Sequence, residues 1–565
     1  MHVLGISCFY HDSAAALLRD GEVVFAAAEE RYTRRKHCTD FPLHAIQAAL
    51  GHEGITIADV EAVAFYEKPI LKFDRLMLSS IATWPLGFPI FRRFVPLWFK
   101  QKLQTPAIFR RELGFTKPVY YVEHHLAHAA SSFLVSPYDE AAIITVDGTG
   151  EWSTTTIGVG RGTKIALDHE IRFPHSLGLL YSAITLHLGF QVNNCEGKIM
   201  GLASYGDPEP YRAAFEQLIA VRDDGSFHMN MDYFGYLHRP AMTSSRLDGL
   251  LGPPRKGGEA LDQRHMDIAA ALQATLEDAL IKMGRHVHET TGQSKLCLAG
   301  GVALNCVANG RVLRETPFDD LYIQPAAGDD GTAIGCAAYL YHTLMGNPRV
   351  GPLRAAYLGD GFTDDDVHAC LDARGVAYRR MERDELLRWT ARQIADNRIV
   401  GWFQGRMEFG PRALGNRSIL ANPCSPDMKD ILNHRVKHRE PFRPFAPSAL
   451  VDRAAEIFDL GVPSPFMLLV ADVHPDKRDA VPAITHVDGT ARLQTVARDD
   501  NPLYYGLIAE LAKLTGVPVV LNTSFNVRGE PIIRTPDDAY ACFEGTGIDT
   551  LVMHDCVVEK PTEGA

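Results

Sequence analysis

Two histidines at helical spacing are the strongest chemical signal in this 565-residue sequence. His124 and His128 belong to the motif HHLAHAASS, which follows the strand-like run VYYVEH. Residues four apart share one face of a helix, so both imidazoles can bind the same cation, while His125 points elsewhere. The spacing therefore predicts a metal-binding helix, and ordinary hydrogen-bonded histidines are the alternative.

Two carboxylates that follow strand-like segments could complete such a site. Asp147 ends a strand in ITVDGTGE, and Asp329 lies in QPAAGDDGTAIG, each beside glycines that let a phosphate approach the main chain. A plain Asp-Gly hairpin turn is the alternative for Asp147. Two imidazoles with two carboxylates suit a redox-capable or borderline transition metal, which we expect to be iron, with manganese and zinc as alternatives.

A diglycine turn adds the signature of a nucleotide site. Gly300 and Gly301 in LAGGVALN stand between an apolar strand and a helix, where missing side chains and the helix N-terminus favour an anion. Strand–loop–strand patterns occur at residues 2–28 and 141–160, the first with an Asp20-Gly21 hairpin turn. Helical patterns such as residues 266–292 alternate with these strands, which predicts an α/β protein whose N-terminal part has the actin-like ATPase fold.

Composition shifts divide the chain. A segment rich in Gly, Pro and Asp predicts a connection at residues 351–365, between a domain over residues 1–350 and a second over residues 366–565. The aromatic stretch 76–103 is interrupted by three prolines and by an arginine pair, which predicts a packed helical insertion and no membrane span. A surface for an apolar substrate or partner is the alternative for that stretch.

Overall charge and cysteine usage exclude several classes of protein. The formal net charge of -12 disfavours a nucleic-acid partner. The ten cysteines form no CxxC pair, so neither a zinc ribbon nor a redox dithiol is indicated. The first residues lack the pattern of a signal peptide, and we expect a cytoplasmic protein.

Seven motifs in a fixed order give the sequence a specific resemblance, which extends over essentially the whole chain. They are HHLAHAAS, VDGTGE, EGKIMGLASYG, AGGVALN, GRMEFGPRALGNRS, REPFRPFAPS and LNTSFNVRGEPI. Together they resemble the carbamoyltransferases of nodulation-factor, cephamycin and nebramycin (antibiotic) biosynthesis. The resemblance implies an actin-like (ASKHA) N-terminal domain, similar to the protein that makes threonylcarbamoyladenosine in tRNA, and a YrdC-like α/β C-terminal domain.

The resemblance also implies a reaction. The C-terminal domain would convert ATP, with its Mg²⁺, and carbamoyl phosphate to carbamoyl adenylate, which passes inside the protein to the N-terminal domain. There the carbamoyl group would be transferred to a hydroxyl or amine of a small molecule, such as a natural product or glycan. The partner is thus a small-molecule acceptor, and the protein is expected to be a monomer or homodimer.

Site residues follow from the motif positions. The metal ligands would be His124, His128, Asp147 and Asp329, and the nucleotide or adenylate would contact Asp147, Gly148, Gly150, Gly301 and Asn305. Carbamoyl phosphate would contact Arg412, Arg417, Lys437 and Arg443, for which surface salt bridges are the alternative. Further contacts to carbamoyl phosphate or nucleotide would come from Arg492, Asn522 and Ser524, and a structural role is the alternative for Asn522. Catalytic roles would fall to His11 as general base and to Lys36 and Lys198 facing the adenylate or acceptor, with loop capping as the alternative for His11.

Other functions remain as competing hypotheses. A sugar kinase of the actin-like fold would have no use for HHLAH or for the arginine-rich second domain. A hydrogenase-maturation protein would add an acylphosphatase module and CxxC pairs, and a tRNA-modifying protein is disfavoured by the acidic balance. A non-enzymatic ATP-binding regulator is the alternative outside the enzymes.

Overall fold

The computed structural model describes residues 1–100 and 102–560, and these form two compact units. Unit 1 comprises Met1–Glu29 and His37–Leu353, and unit 2 comprises Glu30–Lys36 with the chain from Arg354 onward. The sequence-based division placed all of residues 1–350 in one domain. The segment Glu30–Lys36 belongs to unit 2 instead, because its side chains form hydrogen bonds there. Arg31 donates to the Gly410 carbonyl at 2.7 Å, and Arg34 donates to the Ile532 carbonyl at 2.8 Å.

Strands and helices alternate along the described chain. The strands are β1 (His2–Ser7), β2 (Ala14–Arg19), β3 (Glu22–Ala28), β4 (Val60–Phe65), β5 (Val119–Tyr121), β6 (Glu140–Val146), β7 (Ser153–Arg161), β8 (Lys164–Arg172), β9 (Ile219–Val221), β10 (Phe227–Met229), β11 (Lys295–Ala299), β12 (Asp320–Ile323), β13 (Arg379–Arg380), β14 (Val400–Phe403), β15 (Arg417–Ala421), β16 (Ala446–Leu450), β17 (Phe458–Asp459), β18 (Leu469–Val473), β19 (Thr490–Val496), β20 (Val519–Ser524), β21 (Thr550–Met553) and β22 (Cys556–Glu559). The helices are α1 (Glu30–Thr33), α2 (Leu43–Glu53), α3 (Pro69–Ala82), α4 (Phe88–Lys100), α5 (Thr105–Leu113), α6 (His124–Phe133), α7 (Leu177–His187), α8 (Glu196–Ala203), α9 (Arg212–Leu218), α10 (Ser245–Leu251), α11 (Gln263–Thr291), α12 (Cys306–Glu315), α13 (Thr332–Ala338), α14 (Asp364–Ala373), α15 (Arg383–Ala395), α16 (Met428–Leu432), α17 (Pro502–Thr515) and α18 (Pro536–Glu544).

Unit 1 contains the same sheet topology twice. Its two five-stranded sheets have the strand orders β3-β2-β1-β4-β5 and β8-β7-β6-β11-β12. In each, three consecutive antiparallel strands are extended by two strands parallel to the first. This duplication is the architecture of the actin-like ATPase fold, so the predicted fold class is confirmed for unit 1.

Local sequence signals explain several of these elements. The Asp20-Gly21 turn predicted between β2 and β3 is present, with φ angles of 50° and 88°. Positive φ at both central residues matches the right-handed twist of the paired strands. The long helix predicted near residues 266–292 is α11, which is capped by Asp262 at its start and ends at Gly292 in the left-handed region.

Unit 2 is built on one mixed sheet with helices on both faces. The strand order is β13-β22-β21-β14-β15-β20-β16-β19-β18-β17. Side chains alternate across the strands, so Trp402 packs in the core beneath α15 and α17, while Phe403 packs in the core beneath α14, α16 and α18. The predicted α/β class is confirmed here as well.

The stretch between β4 and β5 is the predicted helical insertion, formed by α3, α4 and α5. The helices α3 and α4 pack against each other through aromatic and aliphatic side chains, among them Phe73, Leu76, Phe91 and Trp98. None of the described helices is both long enough and apolar enough to cross a membrane.

Candidate functional site

Four buried side chains of unit 1 converge in what we call the acid–imidazole cluster: His124, His128, Asp147 and Asp329. One ligand atom from each lies within 4.8 Å of the others. His124 Nε2 is 3.2 Å from His128 Nε2 and 3.3 Å from Asp147 Oδ2. Asp329 Oδ1 is 3.5 Å from His124 Nε2 and 3.6 Å from His128 Nε2. The structure thus brings together the four residues that the sequence predicts as metal ligands.

The fold explains this convergence. The two histidines occupy the first turns of α6, at the four-residue spacing that places both on one face. Asp147 directly follows β6, and Asp329 begins the short 3-10 turn before α13. Strand and helix ends of the duplicated fold therefore supply all four groups.

The electrostatics of the acid–imidazole cluster fit a bound cation. Burial opposes protonation of His124, but Asp329 and Asp147 outweigh it and raise its pKa. Burial opposes ionisation of Asp147 and Asp329, but the imidazoles, with His11 beside Asp329, outweigh it and lower the pKa of both. Among the described residues, Asp329 Oδ1 accepts no hydrogen bond although it is buried. Two carboxylates and two imidazoles, with one carboxylate oxygen that still lacks a hydrogen-bond donor among the described residues, are a donor set for a transition metal.

The glycine-bearing loop after β6 is held against the diglycine turn. The amide of Gly301 donates to Asp147 Oδ1 at 2.9 Å. A Cβ at Gly150 would lie 2.8 Å from the His125 ring and 3.2 Å from the His124 ring, so a side chain there would disturb α6. A Cβ at Gly148, in contrast, would meet only the Leu179 side chain, at the ordinary contact distance of 4.0 Å.

Asn305 has its side chain engaged within the protein. It caps α12 by accepting from the Ala308 amide at 3.0 Å. It also exchanges hydrogen bonds with Gln273, at 2.9 and 3.0 Å, and Gln273 accepts from the Tyr181 hydroxyl. The described contacts of Asn305 therefore fix the start of a helix next to the diglycine turn.

His11 lies at the edge of the acid–imidazole cluster. Its Nε2 is 3.9 Å from Asp329 Oδ2, and its Nδ1 is 2.9 Å from Asp12 Oδ2. The other oxygen of Asp12 contacts His37 Nδ1 at 2.7 Å. Burial opposes protonation of His11, but Asp329 and Asp12 outweigh it and raise its pKa well above the usual value. The structure therefore places this imidazole beside Asp329, and its role as a proton acceptor stays a prediction.

The two predicted catalytic lysines lie in different units. Lys198 belongs to α8 of unit 1, where its ammonium is 5.4 Å from the centre of the Phe190 ring. Lys36 is exposed and belongs to unit 2, and its charge helps to lower the pKa of Lys437. Lys36 is therefore a neighbour of the predicted carbamoyl phosphate residues.

The helical insertion supplies buried cations that the sequence reasoning missed. Lys72 and Lys102 contact the fully buried Glu67 at 2.6 and 2.7 Å. Arg75 donates to the hydroxyl of Thr149 in the loop after β6, and burial lowers its pKa to about 10. Lys102 lies within the aromatic stretch 76–103, and Lys72 and Arg75 lie just before it. The motif VDGTGE already pointed to the loop that Arg75 contacts.

Unit 2 contains a group of mutually repelling cations, which we call the cationic cluster: Lys36, Lys437, Arg439, Arg443 and Arg492. Burial, reinforced by Arg443 and Arg492, lowers the pKa of Arg439 to about 9. Burial, reinforced by Arg439, Arg443 and Lys36, lowers the pKa of Lys437 well below its usual range. Arg439 was missed from the sequence although it stands two residues after Lys437 in HRVKHRE. Positive charges that lower one another's pKa in this way are typical of an anion site.

Lys437 and Ser524 are neighbours in this site. The ammonium of Lys437 donates to the Ser524 carbonyl, to the Asn526 carbonyl at 3.0 Å and to Asn526 Oδ1 at 3.1 Å. The Ser524 hydroxyl donates to the same Asn526 oxygen at 2.8 Å. These contacts fix the end of β20 beside the cationic cluster.

Arg417 has a structural environment that differs from an anion site. Its side chain is fully buried over the ring of Phe403, 3.7 Å from the ring centre. The guanidinium donates to main-chain carbonyl groups of Gln404, Gly405, Asn416, Asp360 and Arg534. Its donors are therefore used within unit 2.

Asn522 and Arg412 lie near each other in unit 2. Asn522 Nδ2 donates to the carbonyl of Ala413, at 3.2 Å, and to Ser448 Oγ, at 3.1 Å. Its Oδ1 is buried and accepts no hydrogen bond from the described residues. Arg412 precedes Ala413 directly and is half-buried. A buried acceptor that has no donor among the described residues is a group that a polar ligand could satisfy.

Sequence comparison places these features in a family. The family models for the carbamoyltransferase N-terminus and C-terminus match residues 2–338 and 391–560. An uncharacterised protein of Synechocystis sp. is 45% identical, over 100% of this chain and 97% of that protein. The nodulation protein NolNO of Sinorhizobium fredii is 39% identical, over 98% of this chain and 80% of that protein. Nodulation protein U of Rhizobium tropici is 30% identical, over 96% and 93%.

Solved structures are more distant. Component A of the (R)-2-hydroxyglutaryl-CoA dehydratase of Acidaminococcus fermentans covers 61% of this chain and 99% of its own, with 13% identity and a TM-score of 0.33. A likeness at that level carries no argument about function. The family matches extend over both units, and the chain therefore belongs to the carbamoyltransferase family of the nodulation protein U type and is a transferase enzyme.

Proposed function

We propose that this carbamoyltransferase is ATP-dependent and uses carbamoyl phosphate as its donor. Carbamoyl phosphate and water give carbamate and phosphate, and a carbamate oxygen then attacks the α-phosphorus of ATP, which releases pyrophosphate. The resulting carbamoyl adenylate reacts with a hydroxyl or amine of a natural product or glycan. The acceptor gains the carbamoyl group, and AMP leaves with the bridging oxygen.

The cationic cluster of unit 2 is the observation that carries this proposal. Carbamoyl phosphate and the triphosphate of ATP are both polyanions, and guanidinium groups bind phosphate through paired hydrogen bonds. Arg443 and Arg492 each repel Arg439 in the ligand-free protein and disfavour its charged form. Phosphate groups would relieve that repulsion, so we assign donor activation to this unit.

We assign the transfer step to unit 1. His124, His128, Asp147 and Asp329 would hold a transition metal, whose charge would neutralise the adenylate phosphate and the departing AMP. The main chain at Gly148 and the turn at Gly301 would contact the nucleotide. His11 would accept the proton of the acceptor hydroxyl, because a cation bound to Asp329 would remove the largest contribution to its raised pKa.

The test is an acceptor screen with purified protein. ATP, carbamoyl phosphate and candidate hydroxyl or amine compounds are incubated together, and products are read by mass spectrometry. The proposal requires a mass increase that corresponds to replacement of one hydrogen by a carbamoyl group, with AMP and pyrophosphate formed only when both donors are present. ATP consumption that is independent of carbamoyl phosphate would instead favour a kinase or an ATP-binding regulator.

A further inference from the structure

The turn that joins α3 and α4 exposes an unusual number of large apolar side chains. We call residues 81–88 the insertion tip. Within it Ile81 is 63% exposed, Trp84 66%, Leu86 59% and Phe88 44%. Neighbouring apolar side chains that contact water in this way mark an interaction surface and not an ordinary protein surface.

The hairpin does not need these side chains for its own packing. Its interior is filled by a different set, which includes Phe73, Leu76, Phe94 and Trp98. The indole of Trp98 also donates to the Pro69 carbonyl at 3.1 Å, which fixes α4 against the start of α3. The insertion tip is therefore presented outward by a scaffold that is already packed.

Charge is segregated around the insertion tip. The sequence from residue 75 to residue 111 contains seven Lys and Arg and no Asp or Glu, although the whole chain has a formal net charge of -12. Arg92 and Arg93 follow the tip directly at the start of α4 and are exposed, whereas the exposed Arg110 and Arg111 belong to α5. A cationic border beside exposed tryptophan and leucine is the composition of segments that lie at the surface of anionic membranes.

We propose that the insertion tip docks on an anionic lipid surface. Trp84, Leu86 and Phe88 enter the boundary between headgroups and acyl chains, where an indole ring is favoured. Arg92 and Arg93, at the start of α4, contact the headgroup phosphates. This contact is peripheral, it goes beyond the proposed reaction, and it would bring the enzyme to acceptors held at a membrane.

Vesicle flotation of the full-length protein tests the proposal. Vesicles of phosphatidylcholine with phosphatidylglycerol at a ratio of about 7:3 are compared with vesicles of phosphatidylcholine alone. Wild type should float with the anionic vesicles, and high salt should weaken the binding. The double variant Trp84→Ser/Leu86→Ser, and separately Arg92→Gln/Arg93→Gln, should bind roughly tenfold more weakly. The matched control Leu344→Ser, at a site that is 54% exposed, should bind as wild type does.

Three results would overturn the proposal. The first is wild type that fails to float with anionic vesicles, and the second is a tip variant that floats as well as wild type. The third is a doubling of mass in sedimentation that the tip variant abolishes, which would assign the surface to a second copy of the chain. Melting temperatures establish that the variants fold, and if the double variant does not, Leu86→Ser alone serves the same comparison. Carbamoyl transfer to a water-soluble acceptor should be unchanged, so failure here is distinct from failure of the proposed reaction.

Discussion

Asp147 and Gly301 are joined by a hydrogen bond of 2.9 Å although 154 residues separate them in the sequence. The bond uses Asp147 Oδ1, and Oδ2 of the same carboxylate faces His124 Nε2 at 3.3 Å. One side chain therefore ties the diglycine turn to the acid–imidazole cluster. A nucleotide phosphate at the turn and a cation in the cluster would be neighbours for that reason.

The first prediction concerns the metal. Wild type should bind about one transition-metal ion per chain, because the acid–imidazole cluster supplies two imidazoles and two carboxylates. His128→Ala and Asp147→Asn should each lose most of the metal and most of the transfer activity. Elemental analysis of purified protein, with melting temperature as the check on folding, is the measurement.

His125→Asn is the matched control for the metal, since His125 lies on the same helix but bonds to Thr145 at 2.7 Å instead. This variant should keep its metal. Full metal content in both His124→Ala and His128→Ala would show that the ion binds elsewhere.

The second prediction separates the two half-reactions. Arg443→Ala should abolish formation of AMP and pyrophosphate from ATP and carbamoyl phosphate, because a substrate phosphate loses the paired hydrogen bonds of the Arg443 guanidinium. The same variant should still transfer the carbamoyl group from synthetic carbamoyl adenylate. Arg453→Ala is the control, since that arginine is exposed and paired with Glu456. Equal failure with both donors would contradict the assignment of activation to unit 2.

The third prediction is a pH dependence of anion binding. The pKa of Lys437 is lowered in the free protein by burial and by neighbouring cations. A bound anion favours the ammonium form of Lys437 and raises its pKa, so binding of phosphate should be accompanied by uptake of a proton. Phosphate binding should therefore weaken as the pH rises from the pKa of Lys437 in the free protein to its pKa in the bound protein. Calorimetry in two buffers of different ionisation enthalpy measures the uptake. Lys437→Met should remove it, and proton release in wild type would contradict the assignment.

The predictions from sequence agree with the structure for features that are marked by residues close together in the chain. The i, i+4 histidines, the acids at strand ends and the Asp20-Gly21 turn each carry their own local signal, so they could be read directly. Nothing local marks Glu30–Lys36 as part of unit 2, because that membership depends on partners such as Gly410, nearly 400 residues away. Arg439 and Arg417 show the same limit, since the burial of an arginine and its hydrogen-bond partners cannot be read from its position in a motif.

The fourth prediction concerns Arg417. Its guanidinium satisfies several buried carbonyl groups, so Arg417→Ala should lower the free energy of unfolding by about 3–5 kcal/mol. Arg417→Lys should recover little, because an ammonium cannot replace the planar donors. Urea denaturation followed by near-ultraviolet circular dichroism is the measurement. Arg380→Ala, an exposed partner of Asp555, should change stability by less than about 1 kcal/mol. A stable Arg417→Ala protein that has lost only carbamoyl phosphate binding would restore the role expected from its motif.

Oxygen tracing tests the central claim of an adenylate intermediate most directly, and it requires no knowledge of the acceptor. Carbamoyl phosphate labelled with ¹⁸O at its carbonyl oxygen is incubated with ATP and enzyme, and the AMP produced is analysed by mass spectrometry. The two oxygens of carbamate are equivalent, and the one that attacks the α-phosphorus stays with AMP when the carbamoyl carbon is attacked. We predict that close to half of the AMP carries one ¹⁸O in its phosphate. Unlabelled AMP, or ADP in place of AMP, would contradict the account.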